Sequence, residues 1–341
     1  MTITIALDAM GGDFGPSVVV PASAAALEQE RDLSLILVGD PALVEAAMSE
    51  CRLPRPGGRW VVRPASQQVE MDELPSAALR SKKDSSMRVA IDLVKVGTAD
   101  ACVSAGNTGA LMAMARFVLK TLPGIDRPAI VSALPASGGH THMLDLGANV
   151  GAGAEQLCQF AVMGSVLAQC VDGIASPSVG LLNIGAEEIK GNEQIKASHR
   201  LLTESDLNYA GFIEGDAIFR GQIDVVVCDG FVGNVALKTG EGIAKMFGER
   251  IREEFERTSF TRLAGAFAMP VLRRVRARMD PRAYNGATLI GLRGVVLKSH
   301  GGADRVAFAH AIRRAASEVR EGIPDRVREH LETKLAEQEA V

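Results

Sequence analysis

Aromatic side chains are scarce in this sequence, at 4% of residues, and Trp60 is the one tryptophan. That scarcity argues against a stacking surface of the kind that holds single-stranded nucleic acid. Positive charge is not in excess either. Lysine and arginine number 37 against 41 acidic residues, a formal net charge of −4, so the basic surface that nucleic-acid binding needs is missing. The longest uncharged runs, Ala101–Ala115 and Leu157–Val171, fall short of the roughly 18 apolar residues of a membrane-spanning helix. The opening MTITIALDAMGGD has no basic segment and meets Asp8 at once, unlike a signal peptide. Five cysteines (Cys51, Cys102, Cys158, Cys170, Cys228) are odd in number and scattered, mostly in apolar stretches. They read as buried free thiols of a reducing cytoplasm, with no disulfide framework.

Several catalytic signatures are also missing. There is no GxxxxGK[ST] phosphate loop, no GxSxG elbow, no CxxC and no HExxH. Gly151-Ala-Gly153 lacks the third glycine of a dinucleotide fingerprint and follows an Asn–Val pair, so that fingerprint fails. His140-Thr141-His142 is the one close histidine pair; beside Gly138–Gly139 it reads as a surface loop in preference to a metal site.

What is present is glycine, 35 in 341 residues, with 47% apolar and 23% charged composition. This is a soluble globular composition, and the length suits two domains or one large α/β unit. Short β-rich runs are expected at Ile3–Asp8, Ser34–Gly39, Arg59–Arg63, Ala101–Ser104, Ala129–Leu134, Met143–Gly147, Val179–Ile184, Gly211–Glu214, Ile223–Asp229 and Leu289–Lys298. Helical stretches lie between them, the longest at Gly153–Val171 and Asn234–Glu256. Near-continuous apolar strands alternating with helices predict a largely parallel sheet covered on both faces, an α/β/α fold. The whole chain, 1–341, reads as one such unit, with a helical insertion over about 250–282 and C-terminal helices over about 303–341. Between Arg257 and Arg282 stand seven arginines and one acid, Asp280, a local net charge of +6. Phe260, Leu263 and Phe267 interleave with those arginines, and Pro270 is expected to break or kink the stretch. Two readings fit: a hairpin completing a core or dimer interface, or an amphipathic element meeting an anionic membrane.

Polar glycine turns follow six of the strands. They are Asp8–Asp13 with Gly11 and Gly12, Ser104–Gly109 with Asn107 and Thr108, Asp145–Asn149, Asn183–Glu193 with Lys190, Gly191 and Asn192, Asp229–Asn234 with Gly233, and Ser299–Asp304 with His300 and Gly301. Glycine lets backbone approach an anion, and a helix start behind it offers unpaired N–H groups. Six such turns predict one polar anion-binding cleft lined from several strands. Lys190 fits a phosphate partner or a solvated loop lysine. Asn107 and Asn234 fit ligand donors or helix caps. His300 fits a donor to phosphate or to a developing oxyanion, or a structural residue. Lys82 and Lys83 fit contact with an acidic partner or a solvated charge run.

The same turns carry a resemblance. IALDAMGGD, RSKKDSSM, SAGNTGALM, GIDRPAI, LDLGANV, GLLNIGAEEIKGNE, DGFVGNVALKTGEG and LKSHGGAD, in order from Ile5 to Asp304, resemble the bacterial phosphate acyltransferases of phospholipid synthesis. The resemblance implies a fold similar to the isocitrate/isopropylmalate dehydrogenases and phosphotransacetylases, usually as a homodimer with no cofactor. It implies transfer of a long-chain acyl group from acyl carrier protein to inorganic phosphate, giving acyl phosphate for a downstream glycerol-3-phosphate acyltransferase. A cytoplasmic protein, in peripheral contact with the membrane, is expected. Phe14-Gly15 departs from the His–Ala of the family pattern. The rival readings are a phosphotransacetylase acting on an acyl-CoA, a decarboxylating dehydrogenase and a non-enzymatic lipid-synthesis scaffold.

Overall fold

The computed structural model describes residues 2–51, 58–278 and 280–339. The first half alternates β1 (Ile3–Asp8), α1 (Pro16–Gln29), β2 (Leu33–Gly39), α2 (Pro41–Glu50), β3 (Trp60–Pro64), α3 (Pro75–Ser81), α4 (Ser86–Lys95), β4 (Ala101–Ser104) and α5 (Thr108–Leu119). A hairpin of β5 (Ala129–Ala136) and β6 (Gly139–Leu144) precedes α6 (Ala154–Asp172), β7 (Val179–Leu182), α7 (Glu193–Thr203), β8 (Tyr209–Ile213) and β9 (Val225–Val227). Then come α8 (Gly230–Glu256), α9 (Ser259–Arg278), β10 (Ala287–Ile290), β11 (Val295–Lys298), α10 (Arg305–Arg320) and α11 (Ile323–Glu339).

All eleven strands join one sheet in the order β3-β2-β1-β4-β11-β10-β5-β6-β9-β7-β8. The pairings are parallel except β5/β6, β5/β10 and β10/β11. The expected largely parallel α/β/α fold is therefore what forms. Passing from β11 through β10 and β5 to β6 crosses three reversals. The block β6, β9, β7, β8 thus runs opposite to β3, β2, β1, β4, β11, yet the register that aligns Leu297, Thr288, Val131 and Leu144 brings the carboxyl ends of the two blocks to one level of the sheet.

Strand alternation distributes the core. Ile5 and Leu7 of β1 pack with Val19, Phe308 and Ile312 under α1 and α10, while Ala6 faces Ile91, Leu111 and Met114 under α4 and α5. A third cluster, with Phe160, Leu167, Val225 and Val227, lies under α6. Helix starts are fixed by side chains: Asp40, Ser85, Asn107, Asn192, Asp229 and Asp304 each accept a first-turn backbone N–H.

Four expectations need correction. The run Leu289–Lys298 is two antiparallel strands, β10 and β11, because the chain reverses at Gly291, whose φ of +94° suits glycine. His140 and His142 lie in strand β6, not in a surface loop, paired across from Pro135 and Ala133. Of the break or kink expected at Pro270, the break does not occur: α9 is one helix through it, and the carbonyl that proline leaves unpaired belongs to exposed Ala266, where water can satisfy it. All five cysteines are free, but only Cys102 and Cys228 are buried.

Helices α8 and α9 fold back on each other, with Gly265 against the Phe255 ring. Their outer faces leave Phe247, Phe260, Leu263 and Phe267 exposed. No helix among the described residues is long and apolar enough to cross a membrane.

Candidate active site

Strands β1, β4 and β11 are neighbours and parallel, so their terminal turns meet at one edge. Asp8, at the end of β1, is fully buried. Its carboxylate accepts from Ser86 Oγ at 2.6 Å, Ser104 Oγ at 2.6 Å and the Gly11 N–H at 3.1 Å. Burial pushes its pKa above the ordinary value, against the pull of those hydrogen bonds. A Cβ at Gly11 would stand 2.5 Å from Asp8 Oδ2, so only glycine fits there. Asp13 donates its N–H to the Gly301 carbonyl at 3.0 Å, which ties the first turn to the last. A narrow hollow between them is lined by Gly11, Ala105 and Gly301, with Phe14, the departure from the family pattern, on its wall.

The charged group of this edge is Lys298, the last residue of β11, only 9% exposed. Its Nζ donates to the Ala105 carbonyl at 3.2 Å and to the Ser299 carbonyl. Burial lowers its pKa to about 8, against the pull of Asp8 and Asp13, and Lys238 of α8 lowers it further. Beside it, the His300 N–H donates to Asn285 Oδ1 at 3.0 Å and His300 Nδ1 accepts from Gly302 N–H at 3.1 Å. That acceptance leaves the proton of a neutral ring on Nε2. Asn107 proves to be architecture: Oδ1 caps Ala110, and Nδ2 donates to the Met71 and Glu73 carbonyls, each at 2.9 Å. Thr108 and Gly109, exposed in the first turn of α5, keep helix-start N–H groups open.

The second group of turns follows β6, β9 and β7. Asp145 is buried and accepts from Ile130, Ala148 and Asn149 N–H groups and from Asn149 Nδ2 at 2.6–3.1 Å. Asn149 Nδ2 also donates to the Pro128 carbonyl at 2.9 Å. The Asp145 carboxylate and Asn149 Nδ2 are thus committed to the turn itself. Gly233 lies over this turn so closely that a Cβ would stand 1.9 Å from the Asp145 carbonyl oxygen. Asn234 is exposed, above Gly147, and Lys190 is exposed in the loop after β7. Among the described residues neither side chain has a partner. Gly191, with φ +88°, brings the chain against Asn183 Oδ1, and Asn192 caps α7 through Ile195 N–H at 2.9 Å.

The polar turns therefore form two groups, one at the carboxyl ends of each block, and those ends lie level across β10 and β5, as one shared cleft requires. The link between them is α8: it leaves the second group at Gly230, and Lys238 comes close enough to Lys298 to shift its pKa. Of the two basic residues expected to meet an acidic partner, Lys82 pairs with Glu73 at 3.8 Å, and Lys83 is exposed. Close by, Leu79, Arg116, Phe117 and Lys120 line an open groove of about 500 Å³. Lys298 and Asp8 did not stand out as candidates in the sequence, although both sit inside quoted motifs; the signal is a charged residue closing an apolar strand just before a glycine turn.

Residues 3–326 match the family model described as "Fatty acid synthesis protein". The chain is 62% identical over 343 residues to the "Phosphate acyltransferase" of Alkalilimnicola ehrlichii, covering 99% of each chain. It is also 62% identical, over the full length of both, to that of Nitrosococcus oceani. Among solved structures, a phosphotransacetylase from Streptococcus pyogenes shares the fold at a TM-score of 0.64, with 18% identity over 94% of each chain. A parallel-stranded edge holding a buried lysine among glycine turns, in a chain this close to its relatives from end to end, makes it a member of the bacterial phosphate acyltransferase family, an acyltransferase of fatty acid and phospholipid synthesis.

Proposed function

We propose that this acyltransferase moves a long-chain fatty acyl group from the thioester of acyl carrier protein to inorganic phosphate. A phosphate oxygen attacks the thioester carbonyl carbon, the C–S bond breaks, and the products are acyl phosphate and the carrier thiol, which takes up the proton. Phosphate is already ionised at neutral pH and the thioester is activated, so the protein's task is to hold an anion beside a carbonyl and stabilise the oxyanion. The observation that carries this reading is Lys298: a buried ammonium at the start of a glycine turn, two residues from His300 and beside the open start of α5. Lys298 and the Thr108 and Gly109 N–H groups hold phosphate, and His300 Nε2–H faces the developing oxyanion. Lys190 and Asn234, unpartnered in the second group of turns, bind the remainder of the acyl donor or phosphate. Gly12, Asp13 and Gly301 shape the floor.

Lys83 and the basic groove around Phe117 are suited to an acidic carrier protein. The exposed apolar and basic residues of α8 and α9 suit either an anionic bilayer or a second copy in a homodimer. A bilayer site would spare the hydrophobic product a passage through water, and each basic residue near an anionic surface adds about 1 kcal/mol, screened by salt.

Release of carrier thiol, followed with and without phosphate and with no added metal or nicotinamide, tests the reaction. Phosphate-dependent release from acyl carrier protein supports it; turnover of acyl-CoA alone would favour the phosphotransacetylase reading, and strict NAD(P) dependence would exclude both. For the hairpin, cosedimentation with anionic liposomes at low salt, reduced by polar replacements at Phe260, Leu263 and Phe267, supports membrane contact. Wild type that ignores liposomes, with variants that dissociate on a sizing column, assigns the face to the dimer.

A further inference from the structure

Strand β6 places His140 and His142 two residues apart and so on one face, while the intervening Thr141 turns away and donates Oγ1 to the Ile223 carbonyl at 2.9 Å. Both rings meet one carboxylate, that of Asp172 in the last turn of α6. His140 Nε2 lies 3.0 Å from Oδ1 and His142 Nε2 lies 2.6 Å from Oδ2. These three side chains have ligand atoms within 4.8 Å of one another. Nothing in the acyl-transfer chemistry uses them: the strand order sets β6 three strands from β11, and Lys298 closes that strand.

We propose that His140, His142 and Asp172 bind a divalent first-row transition ion of the zinc class. The donor set, two imidazole nitrogens and one carboxylate oxygen, is the type that zinc, cobalt and nickel take, and that magnesium and calcium do not. Three protein ligands leave a fourth, tetrahedral position for water. One ligand atom from each residue lies within 4.8 Å of the others, against roughly 3.3 Å between neighbours on a tetrahedral zinc with bonds of about 2.0–2.2 Å. Small side-chain shifts would seat the ion between the rings and the carboxylate, in place of the shared Nε2 protons.

The carboxylate and the His140 ring remain partly exposed, which gives an ion a way in. His142 is held only through Nε2, because its Nδ1 is buried and has no hydrogen-bond partner. With metal on Nε2 the proton must sit on that unpaired Nδ1, so affinity should fall below that of a four-ligand structural site.

Untagged full-length protein, treated with chelator and titrated with Co²⁺, provides the test. The site predicts one equivalent of Co²⁺ with the intense visible absorption of a tetrahedral complex, displaced by Zn²⁺, and a rise in Tm on adding Zn²⁺. His140→Ala, partly exposed and least able to disturb the fold, should weaken Co²⁺ at least tenfold and remove the Zn²⁺-dependent rise. Asp172→Asn, which keeps the shape of the carboxylate, should do the same while its circular dichroism stays native. No tetrahedral spectrum in the wild type, or an unchanged titration in both folded variants, would overturn the proposal.

Discussion

Two sets of strand-terminal turns, rich in the same residue types, have been put to different uses. After β6 the polar side chains are engaged in the turn itself: Asp145 accepts four hydrogen bonds and Asn149 Nδ2 donates two. Gly230 and Gly233 let α8 close over them. After β1, β4 and β11 a charge remains. Lys298 is buried with two carbonyl partners and no carboxylate in hydrogen-bond contact, and His300 retains a free donor. A saturated carboxylate holds a turn in shape, whereas a buried cation with no carboxylate in hydrogen-bond contact is prepared for an anion. The comparison shows why a polar glycine turn alone does not identify a binding site; the balance of hydrogen bonds around it does.

Substitution at Lys298 should produce the largest change in function. Lys298→Met removes the buried positive charge and should lower kcat/KM for phosphate by about 10²–10³-fold, the scale of losing one preorganised electrostatic contact. Its thermal stability should stay level or rise at pH 7. The sign follows from linkage: the folded pKa, about 8, lies below the ordinary 10.5. Between those values the unfolded chain binds the extra proton, so stability rises with pH there, and below about pH 8 the buried charge is a burden that methionine removes. A large fall in Tm with unchanged kinetics would make Lys298 structural.

Asp145→Ala should show the reverse pattern. Stranding the buried Ile130, Ala148 and Asn149 donors should destabilise the fold by about 3 kcal/mol or more. The protein that remains folded should keep its KM for phosphate. Denaturant melts beside single-turnover kinetics separate the two effects. The smallest change is expected at Lys190. Because it is exposed and unpaired, Lys190→Ala should leave Tm unchanged and weaken phosphate use several-fold; unchanged kinetics in both substrates would remove it from the site.

Most of the architecture could be read from the sequence, because apolar runs such as ITIALD and LSLILVG report burial on both faces directly. Three features could not. The β10–β11 reversal hides in an apolar run whose only marks are Gly291 and Gly294. The opposed directions of the two blocks, and the offset that brings their carboxyl ends level, depend on strand pairing, a long-range property that no local pattern encodes. Lys298 looks like a solvated strand end until Ala105 and Ser299 are seen to enclose it. His140 and His142 resemble a loop in sequence for a related reason: the neighbouring glycines suggest one, while the residue that organises them, Asp172, comes thirty positions after His142 at a helix end.

The pH profile of kcat/KM for phosphate, in wild type and in Lys298→Arg, tests most directly whether the Lys298 charge binds the phosphate. Free-enzyme groups govern this parameter. In the wild type it should fall as pH rises through about 8, where Lys298 loses its proton. In the arginine variant, which keeps its charge throughout, that descending limb should vanish. A wild-type profile flat from pH 7 to about 10, or a limb that persists unchanged in Lys298→Arg, would contradict the assignment.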